Sequence, residues 1–325
     1  MKINIIGGGI VGCIQAIEMK KKGFDVSIYE MNRIGSGSTN AGAGILYPLL
    51  PHQYEPDVYN LVSDSISYYL DLQKVLITLF NFDIDLIQSG MLIDINLKKD
   101  LESWLISNAI DYKPLCYKEL KGIFIKDVYQ INPKKLTEGI VKYLKYLNVE
   151  IFDHTEVRLN SSNEFIDHHS NKILGDKYII SSGAWTYLLI KRMKEMVYPI
   201  RGQLIEYENK QKLEIKHIIF KEGTYVFQRK NGSIIAGSTL EDVGFDNTLT
   251  NQHLEMLKKN AEDILPELSS HEVLDHWHGF RPGSKKNIPL IIKDTEIKNT
   301  YFNTGHFRYG VSMAPASVEL LVDSF

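Results

Sequence analysis

The stretch from Lys2 to Glu30, KINIIGGGIVGCIQAIEMKKKGFDVSIYE, constrains this chain more than any other. An apolar run meets Gly7, Gly9 and Gly12 in the spacing G-x-G-x-x-G, then a helix-like apolar segment and, past Gly23, the alternating run FDVSIYE. The pattern reads as strand, tight turn, helix, strand, which is one βαβ unit. Each glycine has its own reason. The first permits a sharp turn, the second lets a pyrophosphate approach the backbone, and the third lets the helix pack closely on the strand. Gly7, Gly9, Ile10, Val11 and Gly12 are therefore the expected dinucleotide-binding stretch, with the amides and dipole of the helix start facing phosphate. Glu30, closing the second strand, stands where a carboxylate accepts hydrogen bonds from ribose hydroxyls. At this point FAD and NAD are both open, and Arg33 is either a solvated charge or a basic neighbour of the adenosine.

A chain of 325 residues exceeds the usual size of one core, so two domains, or one with a large insertion, are expected. Val58, Leu61, Val62, Ile66, Tyr69 and Leu70 recur at helical spacing and predict one amphipathic helix reaching about Phe80. Residues 81–127 mix short apolar runs with turns, QSGMLIDI among them, and read as an insertion without a glycine-rich loop of its own. NPKKLTEGIVKYLKYLNVEIF then predicts a helix feeding a strand, and DKYIISSGAW a buried strand ending at Gly183 and Trp185. From Val197 to Asp275 the pattern turns to strands, with a hairpin signalled by Asn231-Gly232 between two alternating runs. NTYFNTG closes the chain as a strand, followed by the GHFR turn and a helix over APASVELLVDSF. The α/β elements thus come in three pieces, 1–80, 128–190 and 277–325, around two pieces of another kind, 81–127 and 191–276.

Composition excludes little beyond disorder. A formal charge of −3 with no basic run provides no field for nucleic acid. Cys13 and Cys116 belong to no CxxC pattern and fit reduced thiols of a cytoplasmic protein. The apolar start is broken by glycines and reads as mature structure, and no later run reaches the roughly 18 apolar residues of a membrane span. His276 and His278 alternate along DHWHG, but without a third ligand at sensible spacing they read as structural, and His168 and His169 as loop; no metal is expected. His306 reads as a backbone hydrogen-bonder in a turn, with titration beside the ligand as the other reading.

With these stretches in hand the sequence resembles the flavin-dependent amino acid oxidases of the D-amino acid oxidase superfamily, most closely the glycine oxidases of thiamine synthesis. The similar segments are IIGGGIVG, GSTNAGAG, EIFDHTEV, SSGAW, RGQ, TYVFQRKNG, AGSTLEDVGFD, HGFRPGSK and GHFRYGVSMAPAS, spread from the first residues to the last. The resemblance implies a Rossmann-type α/β FAD-binding domain with an interleaved β-rich substrate domain. It implies that Ser38, Thr39, Ala41, Gly42, Ala43 and Gly44 run beside the pyrophosphate and flavin, and that Val157 holds the adenine through its backbone. Ser182, Gly183, Trp185 and Arg281 also fall in cofactor-bordering segments. So do Gly305, His306, Arg308, Tyr309, Gly310, Val311 and Ser312, around the isoalloxazine. With no cysteine after Cys116, FAD is expected to be non-covalent.

Arg308 lies between two aromatics in an otherwise small and apolar turn, where a cation is costly unless an anion meets it. By the resemblance it pairs with a substrate carboxylate, and Tyr225 hydrogen-bonds the same group. The implied reaction is oxidation of the amine of glycine or another small amino acid, hydride leaving Cα for the flavin, with dioxygen as acceptor. Ammonia, an oxoacid and hydrogen peroxide are the products, and a homo-oligomer is compatible with it. Two positions depart from the family pattern: Gly223 replaces a histidine and Ile45 a methionine, and the chain stops at Phe325 where relatives run further. The rival readings are an oxidoreductase acting on carboxymethylaminomethyl-modified tRNA uridine, a D-amino acid dehydrogenase, and a non-catalytic flavoprotein. The first calls for a basic surface that the charge of −3 does not provide. Intact GHFR and Tyr225 speak against the last.

Overall fold

The computed structural model describes residues 1–94, 96 and 98–324. Residues 1–80 form β1 (Lys2–Ile6), α1 (Ile10–Lys21), β2 (Asp25–Tyr29), the short α2 (Ser38–Ala41), α3 (Pro56–Ser63) and α4 (Ser65–Phe80). Next come β3 (Ile87–Gln88), β4 (Met91–Asp94), α5 (Lys98–Ser107), β5 (Tyr112–Tyr117), β6 (Leu120–Ile125) and β7 (Tyr129–Gln130). They lead to α6 (Pro133–Tyr146), β8 (Glu150–Phe152), β9 (Val157–Leu159), β10 (Phe165–Asp167), β11 (Lys177–Ile180) and α7 (Thr186–Leu189). The strand-rich stretch contributes β12 (Val197–Tyr207), β13 (Ile218–Lys221), β14 (Thr224–Gln228), β15 (Ile234–Gly237), α8 (Asn251–Glu262) and β16 (Val273–Ser284). The chain closes with β17 (Leu290–Lys293), β18 (Thr300–Thr304) and α9 (Gly310–Val322).

Among the described residues these strands form two large sheets. One has six strands in the order β17-β18-β11-β1-β2-β8, parallel except at β17. Its strands come from 1–80, 128–190 and 277–325, the three α/β pieces read from sequence. The other has eight strands in the order β16-β12-β15-β14-β13-β4-β6-β5, with β13–β4 its parallel pair. It joins β4, β5 and β6 of the apparent insertion to the later strands. Strand β16 runs on to Ser284, so this sheet extends past the boundary drawn at residue 276.

Local chemistry explains the elements. Burial of the β1 side chains at Ile3, Ile5 and Ile6 suits a strand covered on both faces. Asn132 caps α6, its side chain accepting from the Lys134 and Lys135 amides, and Pro133 takes the first position, which has no use for an N–H. The helix expected from Val58 to Phe80 is two helices meeting at Asp64, whose ψ is −10°. There Ser63 Oγ donates to the Asn60 carbonyl and Ser65 Oγ to that of Leu61, local bonds that compete with a continuous helix. Asn81 ends α4 in a left-handed conformation, φ 49°. Helix α8 was not legible in the run of strands; Thr250 caps it by accepting from the His253 amide, and Leu257 and Ala261 bury its inner face. Phe325, where the closing helix was expected to end, lies outside the described residues, as do Ile95 and Leu97.

Helices α1, α4, α6 and α9 pack one core against the parallel sheet, through Ile14, Tyr69, Leu72, Leu76, Leu136, Ile140 and Val318. The closest approach is at Gly12. A Cβ there would stand 2.0 Å from the Gly7 carbonyl oxygen and 3.2 Å from Ile5 Cγ2. Gly12→Ala should therefore weaken the fold itself, by about 1–3 kcal/mol for an overpacked contact. Denaturant unfolding of the FAD-free protein checks this; unchanged stability would mean α1 can move off β1 freely.

Candidate active site

Strands β18, β11, β1 and β2 end side by side, and beyond those ends opens a cavity of about 760 Å³. This is where open parallel sheets bind ligands. Its walls come from the β1–α1 turn, loop 35–45, residues 155–159 and 181–185, the β18–α9 turn, and β12, β14 and β16 of the eight-stranded sheet. Every residue expected at the cofactor or substrate lies on this wall except Gly12 and Gly305. Gly12 acts behind it, in the contact with Gly7. Gly305, φ +84°, turns the chain out of β18 close against Ser284. Arg33 is exposed and off the wall.

The dinucleotide end is built from backbone. Gly7 has φ +109°, and a Cβ there would lie 2.5 Å from the Ser181 carbonyl oxygen. Glu30 accepts from the Gly8 amide (2.7 Å) and the Asn32 amide (2.9 Å), which leaves lone pairs on both oxygens for hydroxyl donors. Burial raises its pKa, opposed by these amides. Thr39 Oγ1 accepts from the Ile10 amide at 2.9 Å and so ties loop 35–45 to the start of α1. Gly9 differs from its neighbours: a Cβ there would meet only Thr39 Oγ1, at 3.4 Å. The protein itself does not demand a glycine at this position. A diphosphate running against the backbone would, and α1 and α9 both begin at the cavity with the dipole sense that favours anions. The site fits FAD.

The opposite end carries cations. Arg281 on β16 donates from Nη1 to the Thr239 carbonyl (2.9 Å) and from Nη2 to Ser238 Oγ (2.8 Å). Its guanidinium lies flat against Gly202, where a Cβ would stand within 2.3 Å of three of its atoms. Burial lowers its pKa to about 10, so it remains a cation at neutral pH. Arg308 lies near it and, among the described residues, has no hydrogen bond or ion pair; its guanidinium rests 5.6 Å from the Phe307 ring centre. Phe307 holds φ +47°, a conformation costing an L-residue about 1–2 kcal/mol, so the turn that aims Arg308 is a strained one. Tyr225 is buried beside both arginines. Burial pushes its phenol up against the opposing pull of Arg281, Ser238, Arg308 and Arg229, so it keeps its proton and can donate. Among the described wall residues, Glu30 and Glu156 are the acids, and Glu156 adjoins the expected adenine contact Val157, away from the arginines.

The histidines resolve differently. His306 is buried with Nε2 2.9 Å from Ser317 Oγ, whose own proton goes to the Ala314 carbonyl, so the imidazole donates. Burial pulls it down to about 3, which removes it as a titrating group at the ligand. His276 hydrogen-bonds Gln203 (2.8 Å), while His278 lines the cavity and has its pKa lowered, chiefly by burial. His168 and His169 lie in a turn with their rings in tilted contact. Among the described residues no group of three His, Cys, Asp or Glu could hold a metal. Cys13 and Cys116 are free thiols. Sequence reasoning missed Gly202, Ser238, Tyr47 and Leu49 on the wall; RGQ and AGST marked the first two only as segments, and nothing local marks the others.

Residues 2–324 match the family described as DAO, FAD-dependent oxidoreductases. The chain belongs to this family. A glycine oxidase of Pseudomonas aeruginosa is 29% identical over 342 residues, spanning 99% of this chain and 94% of that protein. A bifunctional protein ThiO/ThiG of a Nostoc species is 27% identical over 343 residues, spanning 99% of this chain and 52% of that protein. The solved glycine oxidase of Bacillus cereus superposes with a TM-score of 0.90 at 23% identity, over 99% of this chain and 94% of the other. The cofactor of this oxidoreductase is FAD.

Two outcomes follow from this geometry. Gly9→Ala should leave the unfolding of the FAD-free protein unchanged and weaken FAD binding at least about tenfold, the reverse of Gly12→Ala; titration of apoprotein with FAD reads it. His306 titrates at 6.5 when unfolded and about 3 when folded, so the unfolded chain takes the proton first. Its contribution is full above pH 6.5 and is lost as pH falls toward 3. The midpoint of thermal unfolding, followed from pH 7 down to pH 4, should drop less steeply in His306→Gln than in the parent.

Proposed function

We propose that this chain oxidises the amine of glycine, or of another small amino acid, at the arginine-lined end of the cavity. The observation that carries the reading is the pair Arg281 and Arg308 around the Tyr225 hydroxyl, with no carboxylate beside them on the described wall. A substrate carboxylate completes that arrangement. Arg281, held by Ser238 and Thr239, offers a fixed fork, Arg308 adds charge, and protonated Tyr225 donates a third bond. This reassigns Arg281 from the cofactor to the substrate. The aligned carboxylate fixes where the substrate Cα stands, and the work of the protein is orientation and exclusion of water. FAD supplies a two-electron acceptor.

No charged base is needed, because hydride departs from an amine already neutral. The imine product takes up water to give an oxoacid and ammonia, and dioxygen takes the electrons to give hydrogen peroxide. The likeness to a protein named ThiO/ThiG supports a role in supplying thiamine thiazole synthesis. The readings as a tRNA-modifying enzyme, a dehydrogenase or a non-catalytic flavoprotein gain no support from these relatives. The same reading takes residues 81–127 and 191–276 as the substrate domain, the remainder as the FAD-binding domain, FAD as non-covalent, and the protein as cytoplasmic.

Anaerobic mixing of the purified yellow protein with a panel of amino acids tests it: glycine or a close relative should bleach the flavin, and a panel without effect would overturn it. Arg281→Ala and Arg308→Ala should each raise the substrate requirement by the equivalent of about 2–5 kcal/mol with FAD still bound, the lysine variants recovering part. Loss of FAD with unaltered amino acid affinity in the remaining holoenzyme would make these arginines structural.

A further inference from the structure

Arg229 directly follows β14, at the start of the β14–β15 hairpin turn, and its cation has no ion pair among the described residues. Its donors go to backbone instead. Nη1 reaches the Ile131 carbonyl at 2.8 Å and Nη2 the Ala43 carbonyl at 2.6 Å, while the guanidinium sits 4.8 Å from the Phe227 ring centre. Ala43 belongs to the loop that lines the cavity. An arginine withdrawn from water without a carboxylate is costly, so these two carbonyls are its compensation.

Holding the Ala43 carbonyl has a geometric consequence. In a trans peptide N–H and C=O point opposite ways, so fixing that oxygen toward the hairpin turns the Gly44 N–H away from it. The next peptide is fixed likewise: the Gly44 carbonyl accepts from the Ile131 amide at 2.9 Å, which turns the Ile45 N–H the same way. Gly44 has φ +76°, and a Cβ there would lie 2.1 Å from the Ile131 oxygen, so the loop cannot relax toward β7. Among the described residues neither the Gly44 nor the Ile45 amide has an acceptor, although Gly44 is buried and both residues line the cavity. Buried amides seldom go without a partner, and here the open side is the cavity.

We propose that Arg229 is a positioning residue of the redox site: by clamping the Ala43 carbonyl it aims the Gly44 and Ile45 amides, as a pair of donors, at the group bound in the cavity. The inference rests on FAD occupying that cavity. It assigns Arg229 no contact with FAD or substrate.

The test uses Arg229→Met and Arg229→Lys in the FAD-loaded protein, with three readouts: FAD dissociation constant, absorption spectrum of the bound flavin, and kcat and KM with glycine. Arg229→Met should bind FAD about tenfold more weakly and shift the bound-flavin bands toward those of free FAD. Its kcat per bound flavin should fall by about tenfold with KM altered much less, and Arg229→Lys, retaining charge and part of the donor set, should recover some of each. Parent-like spectra and parent-like kcat per bound flavin, with only the thermal midpoint lowered, would overturn the proposal and leave Arg229 as a strut. Insolubility of both variants would do the same, since a clamp on one loop is not needed for the chain to fold. If the parent binds FAD yet ignores glycine, the substrate reading fails on its own, and the spectral and affinity readouts still decide this one.

Discussion

How near α1 can come to β1 governs the whole cofactor half of the molecule, and the Gly7 carbonyl against the bare Cα of Gly12 sets that distance. With the helix held there, the Ile10 amide reaches Thr39, which anchors the loop running on to Ala43, Gly44 and Ile45. Helix α9 packs on α1, so its own start, Gly310 to Ser312, arrives at the same cavity. Asn303 of β18 donates to Gln15 of α1 in the buried interior. One missing methyl group thus positions two helix N-termini and one loop around a single ligand. Gly9, three residues earlier, meets no such crowding: it lines the cavity, and a Cβ there would touch only Thr39 Oγ1.

The difference between those two glycines marks what was legible in the sequence. A G-x-G-x-x-G between a strand and a helix says that a dinucleotide fold is present, because the spacing encodes backbone geometry that few other residues satisfy. It also separates Gly9, the glycine of ligand approach, from Gly12, the glycine of packing, and the structure puts Gly9 on the cavity wall and Gly12 behind it. The interleaving was legible because the period of the pattern changes along the chain, from mixed helix and strand to strand alone. That β4, β5 and β6 join β13 in one sheet was not, since strand pairing across more than a hundred residues leaves no local trace. The split of the helix at Asp64 was hidden because apolar spacing continues across it, while the cause is polar, in Ser63 and Ser65.

Arginine was the least legible chemistry. Arg229, Arg281 and Arg308 all act on buried Tyr225, yet the three are satisfied in different ways. Arg229 spends its donors on carbonyls of Ile131 and Ala43, Arg281 on Thr239 and Ser238, and Arg308 on nothing among the described residues. In sequence Arg281 and Arg308 are cations beside aromatics, and Arg229 is a cation between Gln228 and Lys230 at a hairpin turn. Only the hydrogen-bond partners separate a clamp, a fixed fork and a free charge. That ordering is also one of reach toward a ligand, because a guanidinium whose donors are used internally has less left to offer.

Arg281 depends in turn on an ion pair further back. Arg201, 3% exposed, pairs with Glu241 at 2.6 Å, and Glu241 also accepts from Gln203 Nε2 at 2.9 Å and from the Thr239 hydroxyl. Burial raises the Glu241 carboxyl, but Thr239, Arg201 and Gln203 together outweigh it and hold the group below its usual range. A buried pair of this kind contributes little net stability against an apolar replacement, because desolvation cancels most of the attraction. Its effect is on geometry. Thr239 is gripped through its hydroxyl by Glu241 and through its amide by the Gln203 carbonyl, and its own carbonyl is what Arg281 binds. The guanidinium facing the cavity is therefore oriented by a relay that begins at Arg201, on the same strand as the Gly202 against which it lies.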